Sequence, residues 1–125
     1  MSARKIENLF IWTEARAFVK RVYQVFEGSR DWGFKDQIQR ASVSIMNNIA
    51  EGAESGSDSA FARYLNISRG SCSEVKSMLY LAEDLKYIDS KDREELQTQL
   101  YKISTGIINL INNVSKQHTT NGKAC

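Results

Sequence analysis

At 125 residues with no proline, the chain is one domain's length, can bury about two-thirds of its unfolded surface in a single core, and suits helices joined by short turns. A net charge of +2 is too small to argue nucleic-acid binding by itself, and two distant cysteines (Cys72, Cys125) with a lone histidine (His118) argue against a disulfide framework, a zinc site and a histidine-based triad. No apolar run nears the roughly 20 residues of a membrane span, and the opening MSARKIENLF lacks a signal peptide's apolar stretch, so a cytoplasmic protein with reduced thiols is expected.

The first helix is expected from about 7 to 27. Ile11, Trp12, Ala15, Phe18, Val19, Val22, Tyr23 and Phe26 recur at steps of one, three and four as a wide apolar stripe. Gly28 is a suitable stop, and 29–33 read as a turn, with Asp31 or Gly33 near the next helix start.

The second helix spans about 34–52. Phe34, Ile38, Ala41, Ile45 and Ile49 form its main stripe, and Val43, Met46 and Ala50 a second apolar side. A helix apolar on two sides must be covered on two sides. One faces the core, and the other is expected to meet a helix of another subunit. The main stripe also carries Asn48 and Gly52, which implies tight helix contact and a satisfied polar network.

A polar linker, 53–58, offers Ser57 or Asp58 as the cap of a third helix over about 59–87, about 43 Å long. Phe61, Leu65, Ser68, Cys72, Val75, Leu79, Ala82 and Leu85 line it. Gly70 interrupts it at a cost of about 1 kcal/mol against Ala, so a close approach by a neighbouring helix is expected at 68–73. The connection 88–90 is short enough to make helices three and four antiparallel neighbours.

Asp89 or Ser90 caps helix four, and Asp92, Glu94 and Glu95 suit its positive end. Its stripe is Leu96, Leu100, Ile103, Ile107, Leu110, Ile111 and Val114, and 117–125 lack periodicity and read as a disordered tail. The whole is an all-α chain, with residues 1–116 forming an up-down-up-down four-helix bundle.

Gln37, Arg40, Ala41, Ser44, Ile45 and the run Asn48 to Gly52 (NIAEG), followed by Phe61, Leu65, Gly70, Ser71 and Glu74, resemble the 23S rRNA intervening-sequence protein family, also described as the bacterial four-helix bundle proteins. The resemblance covers about 6–114 and includes the opening LFIWTEARAFVKRVYQVF. It implies a small helical bundle that assembles into homo-oligomers, with pentameric rings described for members, and no enzymatic activity or cofactor. It also implies RNA-related partners, a related branch being associated with nucleic acid and a reverse transcriptase. The chain departs from the family at Met46, where Pro is common, at Ala53-Glu54-Ser55, where a basic residue is common, and at Arg69, where the residue is usually small.

Charge is uneven along the chain: residues 1–50 carry 8 Lys/Arg against 5 Asp/Glu, and residues 51–100 carry 6 against 10. Arg16, Lys20, Arg21, Lys35 and Arg40 are therefore the candidate nucleic-acid contacts, the plain alternative being a solvated helix face. Arg40, Asn48, Glu51 and Glu74 form a second constellation, with Gly52, Gly70 and Ser71 as its motif neighbours. It reads as a polar network at a helix or subunit contact, or as a ligand contact; no nucleophile or metal set accompanies it. Trp32 is a candidate partner contact. Two functions are expected from this: an oligomeric scaffold binding structured RNA, or a protein-interaction module holding a partner such as a polymerase.

Overall fold

The computed structural model describes residues 4–124, and side chains as far as Ser115. A short 3-10 turn, Ile6–Asn8, precedes α1 (Phe10–Val25), α2 (Trp32–Ala53), α3 (Asp58–Asp84) and α4 (Ser90–Ala124). Among the described residues there is no strand. The helices pack in sequence order, α1 on α2, α2 on α3 and α3 on α4, and α1 closes against α4. The backbone of the expected tail, 117–125, is described as part of α4 as far as Ala124, and its side chains lie outside the described residues.

The starts of α2, α3 and α4 are each set by a short side chain. The Asp31 carboxylate accepts from Phe34 N at 3.1 Å, Ser57 Oγ from Ala60 N at 3.1 Å, and Asp89 Oδ1 from Asp92 N at 2.7 Å. These bonds satisfy amides that have no partner inside the helix. α1 has no such cap; the 3-10 turn feeds it, and Arg4 N bonds Ala53 O at 2.8 Å, tying the N-terminal strap to the end of α2.

The apolar stripes meet as one core. Ile11, Ala15, Phe18, Val22 and Phe26 of the first segment pack with Ile38, Ile45, Ile49, Phe61, Leu65, Val75, Leu79, Leu96, Ile103 and Ile107. Tyr23, assigned above to the first stripe, is exposed. α2 begins at Trp32, so this tryptophan opens the helix rather than sitting in the preceding turn, and it is 70% exposed.

α3 stops earlier than its pattern suggested, and Leu85 is exposed rather than core. The stop is a reversal in which Tyr87 N bonds Ala82 O at 2.9 Å and Lys86 N bonds Glu83 O at 2.9 Å, with Lys86 at φ 63°. That is the left-handed helix ending usually filled by glycine. A lysine there hides the stop from a reader of the sequence.

Within the chain, the stretch 68–73 meets α2 through Ser68 and Ser71, while Gly70 itself is not at the contact. A Cβ on Gly70 would meet nothing within 4 Å. On Gly52 it would lie 2.8 Å from both Phe61 Cδ1 and Tyr64 Cβ, and on Gly106 it would lie 2.5 Å from Ile11 Cγ2. The two tight crossings are therefore α2 on α3 at Gly52 and α1 on α4 at Gly106.

Candidate interaction surface

The outer face of α2 gathers most of the motif residues. Arg40, Ser44, Asn48 and Glu51 recur at helical spacing along one edge. Two shallow depressions meet there. One, about 490 Å³, lies between α2 and α3 and is bordered by Gln37, Arg40, Ser44, Ser71 and Glu74. The other, about 470 Å³, is bordered by Tyr23, Arg40, Asn47, Asn48 and Glu51.

The expected polar network exists, with a different membership. Asn48 Nδ2 donates to Ser44 O at 2.8 Å and to Ser44 Oγ at 3.0 Å. Ser44 Oγ in turn hydrogen-bonds Ser71 Oγ of α3 at 2.9 Å, a bond in which either hydroxyl can donate. Deeper in the same seam, the buried Ser68 hydroxyl donates to Ile45 O at 2.8 Å. Small hydroxyls thus hold the motif segments of α2 and α3 together while satisfying each other, as half-buried polar groups must.

The charged members stand outside this network. Arg40 Nε donates to Asp36 at 2.8 Å along its own helix, and Gln37 Nε2 donates to Glu74 at 3.2 Å. Glu51 is exposed and has no polar partner among the described residues. Within the chain, Arg40, Asn48, Glu51 and Glu74 do not bond one another. They share a surface, and serines make the bonds, because a serine's reach fits the short interaxial gap that bulky ion pairs would hold open. Gly52 is the residue that permits the gap, and Gly70 lies exposed on α3.

The basic candidates divide into committed and uncommitted groups. Arg21 reaches Glu95 at 2.8 Å and Asp92 at 3.6 Å in the first two turns of α4, so acids neutralise it. Lys35 donates to Glu27 O at 3.0 Å and lies 5.0 Å from the Trp32 ring centre. Arg16 and Lys20, one turn apart on α1, are exposed; Arg16 lies over the Trp12 ring and Lys20 has no polar partner among the described residues. Five basic residues that share one stretch of sequence therefore reduce to a two-residue basic edge.

Two perturbed groups lie near the α2 start. The Tyr87 hydroxyl donates to Asp31 Oδ2 at 2.6 Å. That bond, followed by the amide bond from Phe34, holds the Asp31 carboxyl below its usual range, and the same bond to Asp31 raises the Tyr87 phenol. Among the described residues, no three His, Cys, Asp or Glu side chains stand close enough to hold a metal ion, and no helix is long and apolar enough to cross a membrane.

Several surface residues escaped sequence reasoning. Tyr23 and Asn47 border the second depression, although Tyr23 reads as core by spacing. Gln97 and Tyr101 border a separate groove on the opposite side of α3. Tyr101 falls off the α4 stripe, which is the only signal it carries.

A family model described as 23S rRNA-intervening sequence protein matches residues 7–109. No curated protein matches the chain. Among solved structures, the chain is similar to a crystal structure of a protein of unknown function from the S23 ribosomal protein family of Bacteroides thetaiotaomicron. The two are 23% identical with a TM-score of 0.77, over 81% of this chain and 97% of that one. At that identity the likeness concerns the fold.

Proposed function

The chain belongs to the 23S rRNA-intervening sequence protein family, and from that premise we propose a non-enzymatic, cytoplasmic, oligomeric scaffold that binds structured RNA through the basic edge of α1. The observation that carries this reading is the pair Arg16 and Lys20, exposed one turn apart while Arg21, Lys35 and Arg40 are tied to acids or carbonyls. Two charges on one subunit make a weak field; repeated around a ring they make a stronger one. The ring is supported by the second apolar side of α2, where Val43 and Ala50 are only half-buried, and by Gly70 with Ile67, exposed on α3. Five copies is the number carried by the family resemblance.

Binding to a fragment of large-subunit rRNA across a salt series tests the reading. The logarithm of affinity should fall linearly with the logarithm of salt, with a slope of about −0.7 to −0.9 per phosphate contact. Arg16→Glu with Lys20→Glu should abolish binding and leave the helical circular dichroism unchanged. Arg21→Glu is unsuited to this purpose, because it would set a carboxylate against Glu95 and Asp92. Absence of binding at low salt, or binding indifferent to salt, overturns the proposal. A light-scattering mass of one subunit at micromolar concentration overturns the ring.

A second reading has its own support. Trp32 is 70% exposed at the start of α2, next in sequence to Gly33 of the α2–α3 depression, and buried aromatic anchors dominate protein interfaces. In that reading the α2 face holds a partner polypeptide without nucleic-acid contact. Co-purifying protein that survives nuclease and is lost in Trp32→Ala supports it; loss of every partner on nuclease treatment overturns it.

A further inference from the structure

On the side of α3 away from α2 lies a half-enclosed groove of about 140 Å³, against α4. An engineered apolar cavity of about 150 Å³ holds one benzene. The floor here is apolar, formed by Leu100 and the Cys72 thiol, each 3% exposed. The walls are a ring of hydrogen-bond donors: Ser73, Lys76, Gln97, Tyr101 and Ser104. No carboxylate lines the groove.

The donors are positioned, and most are unspent. Gln97 is oriented by Arg93, which donates to Gln97 Oε1 at 2.7 Å and leaves Nε2 on the Lys76 side, 3.5 Å from Lys76 O. Arg93 is itself fixed, paired to Glu83 and lying 5.1 Å from the Tyr80 ring centre. The Lys76 ammonium and the hydroxyls of Ser73, Tyr101 and Ser104 have no hydrogen-bond partner among the described residues. Tyr101 is 73% exposed and stands at the rim.

An apolar floor the width of one ring, under a cation and several idle donors, is complementary to a ring-sized apolar body bearing an anionic acceptor. We propose that the α3–α4 groove binds a small organic acid with a benzene-sized body and one carboxylate, the carboxylate facing Lys76 and Gln97 Nε2 and the body lying on Cys72 and Leu100. The pairing of charge with directed amide and hydroxyl donors is the chemistry that holds carboxylates elsewhere. The site is separate from α1's basic edge and does not depend on RNA binding.

Cys72 makes the test direct, because its thiol forms part of the floor. With Cys125 replaced by Ser, alkylation of the full-length protein reports on Cys72 alone. Benzoate should slow that alkylation with a dissociation constant on the order of 0.1–1 mM, as expected for so few atoms. Lys76→Gln should weaken protection about tenfold, and Ser73→Phe, an exposed helix position, should remove it by filling the groove. Unchanged thermal midpoints in these two variants separate loss of the site from loss of the fold.

Three outcomes would overturn the proposal. Equal protection by benzyl alcohol would remove the role of charge. Equal protection by inorganic phosphate would remove the role of the apolar floor. No protection at millimolar benzoate would remove the site.

Discussion

Ser71 and Cys72 are neighbours in sequence, yet they face two differently built sides of α3. Ser71 belongs to the α2–α3 seam, where Ser44, Asn48 and Ser68 bond across or along the contact and Gly52 admits Phe61 and Tyr64. Cys72 belongs to the α3–α4 groove, where Ser73, Lys76, Gln97, Leu100, Tyr101 and Ser104 border about 140 Å³ of unfilled space. In the seam the hydroxyls of Ser44, Ser68 and Ser71 find partners across the contact; in the groove those of Ser73, Tyr101 and Ser104 find none among the described residues. In the seam a missing Cβ at Gly52 lets Phe61 and Tyr64 come close.

Changes to the seam should therefore cost more than changes to the groove. The largest effect is expected of Gly52→Ala. Its methyl would collide with Tyr64 Cβ, which cannot turn away without the backbone. A loss of about 1–3 kcal/mol follows, reduced by alanine's better helix propensity. A denaturant midpoint at or above that of the parent protein would show that the seam has slack.

Next is Ser68→Ala, which deletes a buried bond to Ile45 O and should cost about 1 kcal/mol. No loss would mean that hydroxyls do not hold the seam. Lys86→Gly lies in the α3–α4 turn, outside both regions, and calibrates the scale. Relief of a lysine at φ 63° should stabilise by up to about 1 kcal/mol, read as a raised thermal midpoint.

The smallest effect is expected in the groove. Ser73→Ala removes a hydroxyl with nothing to bond among the described residues and should change stability by less than about 0.5 kcal/mol. The Cys72 thiol there is pushed up to about 12 by burial. Its proton is retained at neutral pH, so alkylation should be slow and should accelerate as pH rises past the range where an ordinary thiol has already ionised. A rate that levels near pH 9 would show a wetter groove than the packing implies.

How much was legible beforehand depends on the type of signal. The Asp31, Ser57 and Asp89 caps were each among two neighbouring candidates, because a short polar residue before an apolar-periodic run has one local use. The helix ends were harder: α3 stops at a lysine in a conformation that glycine normally signals. Gly70 and Gly52 illustrate the limit. Both are glycines within helices, and both drew the expectation of a close contact, yet of the two only Gly52 lies at a crossing. Gly106, at the second crossing, drew none, because a single glycine beside Ile107 carries no pattern.

The sequence by itself determined four helices, the face of each that seeks the core, and the bundle they build, because those depend on periods of three to four residues and on caps that act within one turn. Tertiary structure alone decided which glycine meets a neighbour, which arginine is neutralised, and where a space remains. Those outcomes depend on the axial offset of one helix against the next, through which Arg21 meets Glu95 across 74 residues and Ser44 meets Ser71. That offset is set by the packing of the whole core, and no local spacing encodes it.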